Sequence, residues 1–285
     1  TKLNSSQNLY LGACWVNSNR RRNVASENGN QSAFNDTQSG AIWRAGYLKN
    51  IDDRSQVFAN ISQSFEAAPF SEAENSVSPQ KALTYEIGTR FEYQWFGTHL
   101  TIYYADVTDE FIDEEIAPNS GRYKVTNEDT THRGIEAFIS LNLTEAFSAQ
   151  TDYTLSFDQS YQLNDFEFNG GAYKGKQIPG ISKHVYAGRL RLTAPENQWH
   201  ASISADWLPD GLVADNANTL TTDGYVSWRI AAEYQLTDTL SIYGGIDNLF
   251  DDKYASTVTV NPSSDSYINP ADGRALYLGA RMQWL

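Results

Sequence analysis

The sequence predicts an all-β protein, a transmembrane antiparallel β-barrel of about twelve strands. Three observations lead there. Apolar residues recur at every second position through most of the chain, which is the period of a strand with one greasy face. Short turns and long polar loops alternate along it, as in a barrel whose turns face one compartment and whose loops face the other. Aromatic residues reach 13% within a hydrophobic content of only 40%, with 7 Trp and 17 Tyr beside 1 Met. That balance suits rings placed at a water–hydrocarbon boundary, although carbohydrate-binding modules share it.

Taken in order, the expected strands are 7–16, 41–50, 54–64, 83–95, 98–112, 121–143, 146–158, 183–194, 198–208, 224–235, 239–248 and 274–284. In 83–95, Leu83, Tyr85, Ile87, Phe91, Tyr93 and Trp95 oppose Glu86, Gly88, Arg90, Glu92 and Gln94. In 132–143, Ile135, Ala137, Ile139, Leu141 and Leu143 oppose Glu136, Phe138, Ser140 and Asn142. The stretch 146–158 sets Phe147, Ala149, Tyr153, Leu155 and Phe157 against Gln150, Asp152, Ser156 and Asp158. In 225–235, Val226, Trp228, Ile230, Ala232 and Tyr234 oppose Ser227, Arg229, Glu233 and Gln235. The last strand alternates Leu276, Leu278, Ala280, Met282 and Trp284 with Tyr277, Gly279, Arg281 and Gln283. No segment has a helical period.

Short turns are expected at 50–54, 95–97, 143–145, 194–198 and 236–239, and long polar loops at 17–40, 65–82, 113–120, 159–182, 209–223 and 249–273. A soluble sandwich has no reason to gather its long loops at one end. A barrel in a bilayer does, and it must close, because backbone groups in hydrocarbon have no water to bond. The rings Trp15, Trp43, Trp95, Phe96, Trp207 and Trp284 fall near strand ends, where interfacial aromatics belong. A large soluble β domain burying the same faces between two sheets is the alternative.

Composition excludes other classes. A formal charge of −14 argues against a nucleic-acid partner, which would need clustered Lys and Arg. The run Arg20-Arg21-Arg22 reads as a solvated loop feature, and the single Cys14 as a residue without an intramolecular disulfide. No stretch approaches the ~20 apolar residues of a membrane helix, and no secretory leader opens the chain. His99, His132, His184 and His200 show no metal spacing. The acidic stretch 106–118, read as a loop, lacks the order of a calcium loop. No Ser–His pairing is brought together by alternation, and "GGAYKGK" and "NGG" are turns rather than phosphate loops. Neither a cofactor nor a bound metal is expected, and the chain does not read as an enzyme.

Several segments resemble the C-terminal half of TonB-dependent outer-membrane receptors. "IDNLFDDKYAS" (246–256) is similar to the penultimate strand and following turn of that family, and "YINPADGRALYLGARMQW" (267–284) to its final loop and strand. "FANISQSFEAAPFSEA" (58–73), "TYEIGTRFEYQ" (84–94) and "TNEDTTHRGIEAFIS" (126–140) resemble its mid-barrel segments in the expected order. "VADNANTL" (213–220) is similar to a subgroup. The family has a barrel of about 22 strands filled by a plug, so the resemblance implies that residues 1–285 are the C-terminal part of a longer receptor's barrel domain, without plug or TonB box.

The resemblance also implies a place in the outer membrane of a Gram-negative bacterium, in contact with its lipid. It implies energy from the TonB complex through the missing N-terminal region, and folding by the barrel-assembly machinery, which would read Trp284 and Leu285 at the end. The function expected is uptake of a scarce ligand: a ferric siderophore or similar iron chelate, or a cobalamin, quinone cofactor or saccharide. A complete twelve-stranded pore or outer-membrane hydrolase, and a soluble carbohydrate-binding module, are the competing readings. Parity and strand direction put Glu86, Arg90, Tyr225 and Arg229 on the inner face toward the outer end; with Tyr173, Asn216 and Tyr267 on loops, they are the expected substrate-binding residues.

Overall fold

The computed structural model describes residues 2–4, 6–25, 31–68, 77–115, 123–259 and 267–283. Its strands are β1 (Lys2–Asn4), β2 (Gln7–Ala25), β3 (Gln31–Asn50), β4 (Ser55–Glu66), β5 (Gln80–Glu92), β6 (Phe96–Glu115), β7 (Tyr123–Asn142), β8 (Thr154–Phe168), β9 (His184–Thr193), β10 (Trp199–Leu208), β11 (Tyr225–Thr237), β12 (Leu240–Asp247), β13 (Ala255–Val258), β14 (Ile268–Pro270) and β15 (Ala275–Met282). One sheet of 13 strands runs β1 to β12 in sequence order and ends on β15, while β13 and β14 pair separately. Each strand of this sheet lies antiparallel to the next, in chain order as far as β12 and then β15, so the sheet is a meander with β1 and β15 at its two edges.

The pleat sorts this sheet into two unlike faces. On one, Ala59, Ile87, Ile102, Ile135 and Leu163 stand side by side across β4 to β8. The same face continues as Phe157, Leu190, Ile203, Ile230, Ile246 and Leu276 from β8 to β15. On the other, Asn60, Glu86, Tyr103, Gly134 and Asn164 are neighbours. Among the described residues no second layer covers the apolar ladder: Ile87 is 60% exposed and Leu278 85%. A shallow groove of about 560 Å³ on this face is lined by Leu190, Leu192, Ile203, Ile230 and Gly244. A continuous uncovered apolar sheet is stable only against hydrocarbon.

Aromatic rings border this band. Near the loop end Tyr85 faces Tyr104 at 6.5 Å, and Tyr161, Tyr186 and Trp207 follow one another at 4.7 and 4.8 Å. Near the turn end Trp95 touches Tyr93 and Phe96, and Tyr153 touches Trp199. Trp199 and Trp207 lie at the two ends of β10, ~27 Å apart at ~3.4 Å per residue. Tilted by ~40°, that strand spans ~20 Å, close to the ~25 Å apolar band of an outer-membrane barrel.

The structure corrects several expectations. Residues 17–25 and 31–40, expected in a loop, extend β2 and β3 as one hairpin. They lack an apolar period because they rise beyond the hydrocarbon, where the covered side can be polar: Gln38 is 8% exposed and accepts from the Ala68 N–H at 2.7 Å. The acidic stretch 106–118, read as a loop, is strand as far as Glu115 for the same reason. The strand expected at 146–158 begins only at Thr154 and runs on to Phe168, into the expected loop 159–182. Before it stands a single helical turn, α1 (Leu143–Ala146), where a simple turn was expected. Asn142 caps that turn by accepting from the Glu145 N–H at 3.2 Å, so the backbone winds instead of extending. The loop 249–273 contains the β13–β14 hairpin. Trp284 and Leu285 lie outside the described residues.

One bulge decides which residues face inward. Asp109 sits in the left-handed region at φ 59°, and the β6–β7 register shifts between Val107 and Glu110. Beyond it, Glu110, Ile112 and Glu114 stand opposite Glu128, Thr126 and Lys124 on the inner face.

Candidate functional site

The inner face is polar along its whole width. Asp158 accepts from Ser140 at 2.8 Å and pairs with Arg189 at 2.9 Å. Glu233 accepts from Ser241 at 2.7 Å and pairs with Arg281 at 3.1 Å, and Arg229 pairs with Asp247. Such a wall tolerates water and passing solutes.

Toward the loop end the wall gathers into a denser group. Glu110 accepts hydrogen bonds from Thr130 and from His132 Nε2, the latter at 3.0 Å. The His132 ring lies on Phe166, centroids 4.2 Å apart and planes at 6°. Below it, Tyr103 donates to Asn164 at 3.0 Å and spreads over Gly134, where any Cβ would meet the phenol oxygen at 2.5 Å. Glycine is needed there for that close approach.

Loops fold inward above this group. Ile112, Phe168 and Ile178 form a small buried cluster with Tyr173 against it. The loop of residues 209–224 docks here: Asn216 donates to the Asp113 carbonyl at 2.8 Å, and Asn218 exchanges two hydrogen bonds with the Gln177 backbone at 2.7 and 2.8 Å. Asn216 is 8% exposed, and its Oδ1 has no partner among the described residues. Burial, then the charge of Glu114, pushes the Tyr173 phenol above its ordinary range. Among the described residues no group of three or more His, Cys, Asp or Glu could hold a metal ion.

Of the residues expected to bind substrate, Tyr173 and Asn216 are brought into this one loop cluster. Glu86 faces inward and accepts from Asn60 at 3.2 Å. Tyr225 opens β11 at the loop end and stacks on Tyr254 at 3.9 Å, and Arg229 lies farther down the same strand. Tyr267 adjoins the β13–β14 hairpin through its carbonyl, which accepts from Thr259 at 2.9 Å. Arg90 does not belong to the outer end. It sits opposite His99 and just before the short turn, because β5 descends from loop to turn. Glu110, His132, Phe166 and Tyr103 are not legible in the sequence: the bulge hides the parity of Glu110, and His132 has no partner at metal spacing. The Gly134 in "HRGIE" was the available signal, since a strand glycine marks a close approach.

Comparison with known proteins agrees with this architecture. The family model described as TonB dependent receptor-like, beta-barrel, matches residues 8–249. The vitamin B12 transporter BtuB of Photobacterium profundum is 28% identical over 235 residues, covering 79% of this chain and 36% of that protein. A probable TonB-dependent siderophore receptor, PiuA of Acinetobacter baumannii, is 22% identical over 257 residues, covering 88% of this chain and 33% of its own length. The chain therefore spans about a third of these relatives. Among solved structures, the unliganded ferric citrate transporter FecA superposes with a TM-score of 0.75 at 19% identity, over 96% of this chain and 42% of that one. With its uncovered apolar face, its aromatic borders and this match, the chain belongs to the TonB-dependent receptor-like β-barrel family, whose members are proteins of the Gram-negative outer membrane.

Proposed function

We propose that residues 1–285 form the C-terminal part of the barrel of a longer receptor, which captures a metal chelate outside the cell and admits it by a TonB-powered rearrangement of a plug. The observation that carries this reading is the polar inner wall that rises into inward-folded loops, where Tyr173, Asn216, Glu110 and His132 converge. An iron chelate is the favoured cargo, and cobalamin, itself a metal chelate, the second, given a relative named as a vitamin B12 transporter. Tyr225, Arg229, Glu86 and Tyr267 line the path beside that loop cluster, and Arg90 acts at its lower exit.

The protein changes no covalent bond of the chelator; binding and gating are its contribution. Its partners are membrane lipid, the TonB complex and, during folding, the barrel-assembly machinery reading Trp284 and Leu285. The test is uptake by a receptor-deficient strain expressing the full-length gene product, offered radio-iron chelates and labelled cobalamin with TonB present or deleted. TonB-dependent accumulation of one of them is expected. Equal accumulation without TonB, or of none of them, would sink the reading.

A further inference from the structure

We propose that His132 is a metal ligand for the incoming chelate, its free Nδ1 filling a coordination position that the chelator leaves open. This deepens the transport reading and takes its cargo class from it. The geometry is that of a prepared donor. His132 Nε2 lies 3.0 Å from Glu110, a carboxylate that accepts only, so that nitrogen carries a proton and, in the neutral ring, the lone pair is on Nδ1. Thr130 donates to the same Glu110 oxygen and lies 3.3 Å from Nε2, which fixes the carboxylate in turn. Stacking on Phe166 at 4.2 Å holds the ring plane. Nδ1 makes no hydrogen bond among the described residues and is not sealed off, since the side chain keeps 22% of its exposure.

A carboxylate behind a histidine orients the ring and raises its basicity toward a metal on the other nitrogen. His99 also has a carboxylate behind its Nε2, Glu92 at 3.3 Å, but its ring is only tilted against Phe138 at 5.9 Å where that of His132 is stacked on Phe166. His184 Nδ1 is engaged by the Tyr161 hydroxyl at 2.9 Å. Imidazole suits copper, nickel, zinc and iron. One imidazole holds no bare ion firmly, so the partner is a chelate supplying the other donors. The step is simple ligand exchange: a water leaves the metal and the Nδ1 lone pair replaces it, with no change of oxidation state and no proton released. Glu110 is a positioning residue that acts through His132.

The experiment uses the full-length receptor and copper(II) iminodiacetate, a tridentate chelate with an equatorial position to spare. Pulsed EPR is expected to show coupling to one imidazole nitrogen. His132→Gln, which can still donate to Glu110, loses that coupling. Glu110→Gln weakens copper affinity by about 10- to 100-fold. A variant with His99, His184 and His200 all changed to Gln keeps the signal. Persistence of the coupling in His132→Gln, or its loss in the triple variant, overturns the assignment. In cells, His132→Gln should lower uptake of open-position chelates relative to saturated hexadentate ferric chelates by at least about tenfold, the size of effect expected for a lost metal ligand. Uptake that is TonB-dependent but shows no such change, with no copper coupling in the parent, sinks this inference and leaves the transport reading standing. Copper coupling that depends on His132, in a receptor that imports nothing, does the reverse.

Discussion

Arg133 on β7 and Asp165 on β8 form an ion pair at 2.7 Å on the outward face, one pleat above the facing pair Ile135 and Leu163. Lys183 and Glu167 join it at 3.7 Å each. Two side chains of the same parity thus change from aliphatic to ionised within one step along the strands. Charges do not sit in hydrocarbon for so little return, so this row marks where the apolar band ends and the headgroup region begins.

A cation placed lower should therefore be costly. Ile102 lies inside the apolar band, one pleat below the Arg133 row and between Ile87 and Ile135. Ile102→Arg is expected to destabilise the barrel by ~2–4 kcal/mol. Asp106→Lys, higher on the same face of β6, should change stability by less than ~0.5 kcal/mol. Urea unfolding of the full-length receptor in lipid vesicles compares the two. Equal costs would mean that the outward face does not meet lipid at Ile102.

The closeness of Tyr103 to Gly134 predicts a packing penalty. A Cβ at residue 134 would lie within 2.5 Å of the Tyr103 hydroxyl and closer still to the Leu163 carbonyl. Gly134→Val is expected to cost ~1–3 kcal/mol and to free the Tyr103 ring. Adding Tyr103→Ala should recover only the part due to the ring, because the carbonyl clash remains. The double-mutant cycle measures the coupling between the two positions.

Glu128 predicts a pH effect. It stands on the part of β7 that rises above the Arg133 level, outside the hydrocarbon. Burial, followed by the negative charges of Glu114 and Asp129, holds its carboxyl above the usual 4.5. The folded protein therefore binds this proton more tightly than the unfolded chain does. Its contribution to stability is complete at acid pH and is lost as pH rises through the interval above 4.5. Glu128→Gln should match the parent in acid and exceed it at neutral pH. Unfolding curves at both pH values check this; a variant weaker than its parent at neutral pH would contradict it.

Asn218 ties two loops together. Its carboxamide accepts from the Gln177 N–H at 2.7 Å and donates to the Gln177 carbonyl at 2.8 Å, and its own φ is 58°. Asn218→Ala loses both bonds and strains the backbone, an expected local cost of ~2–3 kcal/mol. Asn218→Gly loses the bonds without the strain. Hydrogen exchange of residues 176–182 should quicken in both variants, and more in the alanine one. Unchanged exchange would show that the loops hold without this link.

The faces of the strands were legible because a bilayer imposes period two on every residue it touches. Ile87, Ile135, Leu190, Ile230 and Leu278 all point as their parity requires. Legibility failed where water replaced lipid. In 17–40 no greasy face is demanded, so paired strands read as a polar loop. At 146–153 alternation was present without a strand, because a capping Asn142 wound the backbone first. Among the site residues, Tyr173 and Asn216 were legible as loop positions, and nothing in their separate stretches announced that they meet. Glu110 was illegible, since one extra residue at Asp109 reverses its parity.

By itself the sequence determined the sheet, its lipid face and its family likeness, because each follows from local alternation and from motifs read along the chain. Only the tertiary structure placed Glu110 behind His132, carried Arg90 to the turn end and folded residues 209–224 over the inner wall. Those outcomes depend on a bulge, on strand direction and on contacts between segments as much as 103 residues apart, and no local pattern encodes them.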